Sequence, residues 1–185
     1  MAAKTETITC RFIGDFKIGD NLVRNADALC KLSTANENDM FNKLMVIQVG
    51  SIVEASLHEI IYRAQNFTKE GVPNISKDDR EELATKTIEL FNNIINVKQK
   101  YKILDGLGNG IYDELHKLRR YRNKVYIQTD VDINGVSGDE NVAFSNDIVT
   151  WARAFAARVL RHLNERFPGP KDLEQFAHEL NISVA

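Results

Sequence analysis

The residues best suited to chemistry lie in one short segment, LHKLRRYRNKVYIQ, at positions 115–128. This segment carries three arginines within four positions, Arg119, Arg120 and Arg122. An arginine keeps its proton, and its planar guanidinium binds phosphate oxygens through paired hydrogen bonds. The segment therefore predicts a site for a phosphate-bearing ligand such as a nucleic acid.

The apolar residues around these arginines repeat with the spacing of a buried helix face. At about 100° of rotation per residue, one stripe of the predicted helix holds Ile111, Leu115, Leu118, Arg122 and Val125. Arg122 lies near the centre of that stripe, whereas Arg120 and Lys124 point to the opposite face, where we expect them to meet solvent. An unpaired arginine in a core is strongly destabilising, so the position of Arg122 needs an explanation.

Three arrangements would relieve Arg122 of this cost. Its guanidinium reaches water at the end of a bundle, pairs with a carboxylate on a neighbouring helix, or faces a cleft where an anionic ligand supplies the opposite charge. Glu54 makes the second arrangement concrete, because it too is a charge on an apolar helix stripe. That stripe is formed by Ile47, Gly50, Leu57 and Ile61. We therefore hypothesise a contact between Arg122 and Glu54.

The bulk properties restrict where such a site lies. The formal net charge of the 185-residue chain is −2, which argues against nonspecific coating of nucleic acid or anionic membrane. Cys10 and Cys30 have no CxxC spacing, so we interpret both as reduced thiols of a cytoplasmic protein. No apolar run approaches the roughly 20 residues of a membrane span, and the N-terminal residues lack a secretory signal. No spacing of histidines predicts a metal site, and GLGNG at 106–110 matches no phosphate-loop motif.

Helical periodicity dominates the chain and predicts an all-α protein, an antiparallel bundle of four to five main helices. The predicted helices cover residues 20–33, 39–65, 76–99 and 111–128, and a further one follows Ser145. A loop or small hairpin is expected after residue 128, turning at Asn134-Gly135. We expect Trp151 to lie in the core rather than to stack on a base.

The chain is predicted to form a single domain. Residues 1–19 form an N-terminal arm that is extended or a short strand, residues 20–167 form the bundle, and residues 168–185 form a C-terminal tail helix. The tail is predicted to be helical because Leu173, Phe176 and Leu180 recur at helical spacing.

The stretch YRNKVYIQ resembles the signature of the HEPN superfamily, all-helical domains that pair an arginine, often followed by Asn, with a histidine a few residues later. Arg122 and Asn123 match the first part, and Tyr126 stands where the histidine is expected. If Arg119 or Arg120 is the motif arginine instead, Tyr126 falls at a looser spacing of the same motif. The stretch SIVEASLHEIIYRA is similar to an earlier helix of the family that carries an acidic residue. The resemblance covers residues 38–165.

This resemblance implies a site and a partner. Many members of the family are metal-independent endoribonucleases of toxin–antitoxin, abortive-infection and CRISPR systems, with a site formed where two motif helices meet in a homodimer. It implies that Arg122 holds the phosphate, Asn123 orients it and Tyr126 replaces the proton carrier. The expected substrate-binding residues are Arg119, Arg120 and Lys124, and the expected supporting residues are Glu54 and His58. The expected partners are RNA, a second copy and a cognate antitoxin or defence protein, with no cofactor and no metal.

Three functions remain open from the sequence. The protein is an active ribonuclease, a catalytically inactive HEPN-like dimerisation or regulatory subunit, or a structural helical bundle. Tyr126 weakens the first, because a phenol with a pKa near 10 transfers protons poorly at neutral pH. Two other histidines are candidates for that role. His58 lies one turn after Glu54, whereas His116 lies more than 90° around the helix from Arg122.

Overall fold

A computed structural model describes residues 5–67, 75–125 and 135–183 of the chain. Within these ranges the protein is a helical bundle with a two-stranded sheet at its side, which confirms the predicted all-α class. The helices are α1 Phe16–Thr34, α2 Asn42–Asn66, α3 Lys77–Ala84, α4 Phe91–Lys100, α5 Ile111–Asn123, α6 Glu140–Ala143 and α7 Asn146–Arg166, and the strands are β1 Thr5–Cys10 and β2 His178–Ser183. Short 3₁₀ turns cover Glu37–Asp39, Asp105–Leu107 and Lys171–Phe176.

Helix α2 is the centre of the bundle and packs against α1, α3, α4, α5 and α7. Its apolar residues extend around most of its circumference, so neighbours cover it on nearly every side. Among the described residues it is the one helix long and apolar enough to cross a membrane, but 61% of its most apolar window is buried inside the protein. That burial is expected of the core helix of a bundle.

Helix α1 begins at Phe16, earlier than predicted, because Asp15 caps it. The Asp15 carboxylate accepts hydrogen bonds from the backbone N–H groups of Lys17 and Ile18, at 2.8 and 3.2 Å. Glu59 of α2 accepts two further backbone hydrogen bonds, from Gly14 and Asp15, each at 2.9 Å. A buried carboxylate of the central helix therefore fixes the connection between β1 and α1.

The single helix predicted over residues 76–99 is wrong, because the chain forms α3 and α4 with a break between them. Ser76 caps α3 by accepting from the Asp79 N–H at 3.1 Å, and α3 ends at Ala84. The break contains β-branched Thr85, Thr87 and Ile88, which lose rotamer freedom in a helix. Buried Ile88 then anchors the break against the core before α4 begins.

Helix α5 ends at Asn123, short of the predicted residue 128. Lys124 is 8% exposed and its ammonium donates to the Ser137 carbonyl, a contact that a continuing helix would direct elsewhere. Val125 was expected on the buried stripe, but it is 50% exposed. The first part of the predicted loop or hairpin, residues 129–134, lies outside the described residues.

The predicted C-terminal tail helix is wrong. Residues 171–176 form a 3₁₀ turn, and β2 pairs antiparallel with β1, from Thr5 opposite Ser183 to Cys10 opposite His178. Leu180 and Ile182 alternate inward and are fully buried, which gives a strand more burial than a helix of the same residues would have. The predicted extended N-terminal arm is confirmed as β1, which is the partner that makes the second strand possible.

Candidate nucleic-acid interface

The predicted contact between Arg122 and Glu54 is present. Arg122 Nη2 lies 2.5 Å from Glu54 Oε2, across the crossing of α5 and α2. The Glu54 side chain is 16% exposed and the Arg122 side chain 36% exposed. The pair therefore has a buried end at the carboxylate and an open end at the guanidinium.

Burial raises the pKa of Glu54 above its usual value, although the Arg122 charge and the Phe91 backbone N–H both act to lower it. A carboxylate in this position depends on its partners to stay ionised. Among the described residues, Arg122 is the one cation that influences this pKa. The two charges therefore support each other, and Glu54 fixes the direction of the guanidinium.

Asn123 extends the pair outward. Arg122 Nη1 donates to Asn123 Oδ1 at 3.1 Å, and the Asn123 side chain is exposed at the end of α5. An arginine has five N–H donors, and these contacts with Glu54 and Asn123 leave donors for a further acceptor. The arrangement is suited to an anion that approaches from solvent.

Arg119 and Arg120 lie one turn before this end of α5 and are half-buried. Arg119 Nε and His116 Nδ1 are shielded from water and have no hydrogen-bond partner among the described residues. Burial lowers the pKa of His116, and the charges of Arg119 and Arg120 lower it further. The surface of the last two turns of α5 is therefore positive, with Arg120 on the helix face opposite to Arg122, and His116 there is a neutral imidazole at neutral pH.

Lys124 does not belong to this surface. It was predicted to face solvent and to bind substrate, but its side chain is buried and bound to the Ser137 carbonyl. The cause is the end of α5 at Asn123, because the helical rotation that would point Lys124 outward stops one residue before it. Of the three predicted substrate-binding residues, Arg119 and Arg120 therefore remain as candidates.

His58 lies beside Glu54 in an open groove of about 290 Å³. The groove lies between α1, α2 and α4 and is lined by Ile18, Ser51, Glu54, Ala55, His58, Glu89 and Ile94. Burial lowers the pKa of His58, as does the charge of Lys98, whereas a hydrogen bond to the Ile88 backbone and the charge of Glu89 raise it. The net effect is a lowered pKa, so His58 is neutral at neutral pH and next to the candidate site.

The burial of Lys98 was not predicted from the sequence. Lys98 is 1% exposed, and burial lowers its pKa well below the usual value for lysine. Its position on the stripe of Phe91, Ile94 and Ile95 was visible in the sequence, in the same way as that of Arg122. The charge of Lys98 lowers the pKa of His58.

Two predictions about the site concern Tyr126 and a metal ion. Tyr126, the predicted replacement for the motif histidine, lies outside the described residues. No group of three or more His, Cys, Asp or Glu side chains within the described ranges could hold a metal ion.

A second cavity, of about 200 Å³, is separate from Arg122. It is lined by Phe16, Arg63, Phe67 and Phe176 among others. Arg63 lies nine residues after Glu54 on α2, or about 14 Å along the helix at 1.5 Å per residue. The cavity is therefore near the C-terminal end of α2, away from Arg122.

Trp151 is confirmed as part of the hydrophobic packing. It stacks on Phe155 with ring centroids 5.7 Å apart, and its indole N–H donates to Glu114 at 3.2 Å.

The comparisons with known proteins add no relative: no family model, no curated protein and no solved structure matches the chain.

Proposed function

We propose that this protein is a cytoplasmic, HEPN-like RNA-binding protein of prokaryotic toxin–antitoxin or anti-phage defence type, with a degenerate metal-independent endoribonuclease site. The observation that carries the proposal is the Arg122 guanidinium, held by Glu54 on its inner side and open to solvent beside Asn123. A fixed guanidinium with free donors is a good receptor for a phosphodiester. The net charge of −2 is consistent with a local site rather than a coating surface.

The proposed chemistry is attack by the RNA 2′-hydroxyl on its own phosphate. The new bond closes a 2′,3′-cyclic phosphate, the bond from phosphorus to the 5′-oxygen breaks, and the 5′-oxygen leaves with a proton as a hydroxyl group. Arg122 stabilises the charge that builds on the phosphate oxygens, and Asn123 helps to orient the phosphate. Arg119 and Arg120 attract the strand through their charge. The reaction also requires a group that takes a proton from the 2′-hydroxyl, a contribution of about 10² to 10⁴ in rate.

Tyr126 makes this last requirement the weak point, because its phenol stays protonated at neutral pH. The second candidate function follows from it: a catalytically inactive HEPN-like subunit that binds RNA, forms a homodimer or regulates a partner. That partner is a cognate antitoxin or a defence protein. Both candidates use the same Arg122 site and differ in whether the strand is cut.

The experiment compares wild-type protein, Arg122→Ala and the control Arg24→Ala with a labelled single-stranded RNA in EDTA. Arg24 is an exposed arginine of α1, so its loss changes net charge equally. RNA binding that Arg122→Ala weakens and Arg24→Ala retains supports the proposal, and 2′,3′-cyclic phosphate ends identify the active form. Equal behaviour of the three proteins, or no binding by any, refutes it and leaves a structural bundle.

A further inference from the structure

The polar groups of the groove beside Glu54 are hydrogen-bond acceptors, whereas the arginines of α5 are hydrogen-bond donors. Two of its lining residues, Glu54 and Glu89, are carboxylates that accept hydrogen bonds. The Ser51 hydroxyl donates to the Ile47 carbonyl at 3.1 Å, which leaves its lone pairs free. Burial lowers the pKa of His58, so its ring is neutral at neutral pH and one of its two nitrogens is an acceptor. The polar lining therefore offers acceptors and no cation.

The remaining walls of the groove are apolar and come from three helices. Ile18 of α1, Ala55 of α2 and Ile94 of α4 surround the polar groups. A volume of about 290 Å³ is at the lower end of the range of small-molecule sites. A groove of this volume with apolar walls suits one flat ring system rather than a length of strand.

Glu89 is the unengaged acceptor. Its side chain is exposed and has no hydrogen bond or ion pair within the described residues, whereas Glu54 is already bound to Arg122. A carboxylate in this state gains most from a ligand that presents two N–H donors side by side. Among the RNA bases only guanine does so, with its ring N1–H and its N2 amine. Uracil has a single N3–H between two carbonyl oxygens, and a carboxylate repels those oxygens.

The two surfaces meet at Glu54, which lines the groove and holds Arg122. A phosphate is repelled by the groove carboxylates and attracted by Arg122, so a nucleotide has one favourable orientation across this boundary. We infer that the groove is a base pocket that selects guanine over uracil in the nucleotide whose phosphate binds Arg122. This inference rests on the proposed function and names its preferred substrate, single-stranded RNA read on an unpaired base edge.

The test uses three single-stranded uridine octamers: one with a central guanosine, one with inosine there and one with no substitution. Affinities are measured by fluorescence anisotropy for wild-type protein, Glu89→Gln and the control Glu165→Gln. Glu165 is an exposed carboxylate of α7, so its change removes the same charge at a remote position. We expect about tenfold tighter binding of the guanosine octamer by wild type and Glu165→Gln, a smaller preference for inosine, and no preference in Glu89→Gln.

Equal affinity of wild type for guanosine and uridine octamers overturns the base pocket and leaves RNA binding in place. A guanosine preference that survives in Glu89→Gln overturns it as well. Failure to bind any octamer overturns the proposed function together with this inference. Free guanosine, which has no phosphate, distinguishes the two sources of failure: it should shift the His58 ring signals in an NMR titration, uridine should not, and the absence of any shift contradicts the pocket on its own.

Discussion

Gly50 of α2 lies directly beneath Arg122 of α5, so close that no other residue fits there. A Cβ on Gly50 would lie 2.6 Å from the Arg122 Cβ and 2.8 Å from its Cγ. The missing side chain is what lets the α5 backbone approach α2 and brings the guanidinium within reach of Glu54. Gly50 therefore positions Arg122, although it touches no ligand.

Gly50→Ala should displace α5, break the contact between Arg122 and Glu54, and destabilise the fold by about 1–3 kcal/mol. RNA affinity should fall as far as in Arg122→Ala. The matched control is Gly19→Ala in α1, another buried helical glycine, whose new methyl would meet the His178 ring rather than Arg122. Urea unfolding and anisotropy should show that both variants lose stability and only Gly50→Ala loses RNA. Equal loss of RNA in both would show that Gly50 acts through general stability.

A double-mutant cycle of Arg122→Ala and Glu54→Ala should give a coupling of about 1 kcal/mol, a modest value because over a third of the Arg122 side chain is exposed. Arg122→Ala should lower the free energy of unfolding because it leaves the ionised Glu54 carboxylate without its cation. The pKa of Glu54 is already raised by burial, and loss of Arg122 raises it further, so the variant gains stability as the carboxyl takes up a proton. The loss relative to wild type should therefore be full at pH 8 and small at pH 4, as measured by urea unfolding. A loss independent of pH would show that Glu54 does not carry it.

The sequence predicted the Arg122–Glu54 contact because each residue is a charge on an apolar helix stripe, and periodicity is a local property of the chain. The same periodicity failed beyond Asn123. The stripe continued to Val125, but the end of a helix depends on what its last residues contact, and Lys124 gains the Ser137 carbonyl from a later segment. The direction of Lys124 was therefore not predictable from α5 alone.

The C-terminal tail shows a second limit. Leu173, Phe176 and Leu180 have helical spacing, yet Leu180 belongs to a strand whose partner lies at the N-terminus. Pairing of Ile8 with Leu180 joins residues far apart in the chain, and no local pattern reports it. Leu173 and Phe176 are consequently 42% and 54% exposed rather than packed.

Lys98→Met should stabilise the protein by about 1–3 kcal/mol at neutral pH. The change replaces a buried ammonium, which has no carboxylate partner among the described residues, with a side chain of similar length. The folded-state pKa of Lys98 lies well below 10.5, so the unfolded chain binds a proton that the folded chain releases. Wild-type stability should therefore rise with pH up to about 10 through this residue, and Lys98→Met should remove that rise. Urea unfolding at pH 7 and pH 9.5 measures it.

Lys31→Met is the control for this change, since Lys31 is an exposed residue of α1. It should leave both the stability and its pH dependence near those of wild type. A destabilised Lys98→Met protein would mean that the amine makes a contact the folded state needs. The same variant should also raise the pKa of His58, which the Lys98 charge lowers.

Tyr126→His tests whether the rest of the ribonuclease site is in place. The change restores a group with a pKa near 6.5 three residues after Asn123, the position of the histidine in the signature that YRNKVYIQ resembles. We expect a gain of about 10² to 10⁴ in the rate of RNA cleavage, resistant to EDTA and yielding 2′,3′-cyclic phosphate ends. Labelled RNA and gel electrophoresis measure this rate directly.

Two matched variants separate this gain in rate from cleavage by a contaminating ribonuclease and from other effects of replacing Tyr126. Tyr126→Phe should cleave RNA no faster than wild type, because it removes the hydroxyl and adds no proton carrier. The double variant of Tyr126→His with Arg122→Ala should lose the gain, because the restored histidine needs Arg122 to hold the phosphate and to stabilise its charge. Cleavage that persists without Arg122 would contradict the proposed site, since the proton would then be moved at a phosphate held elsewhere.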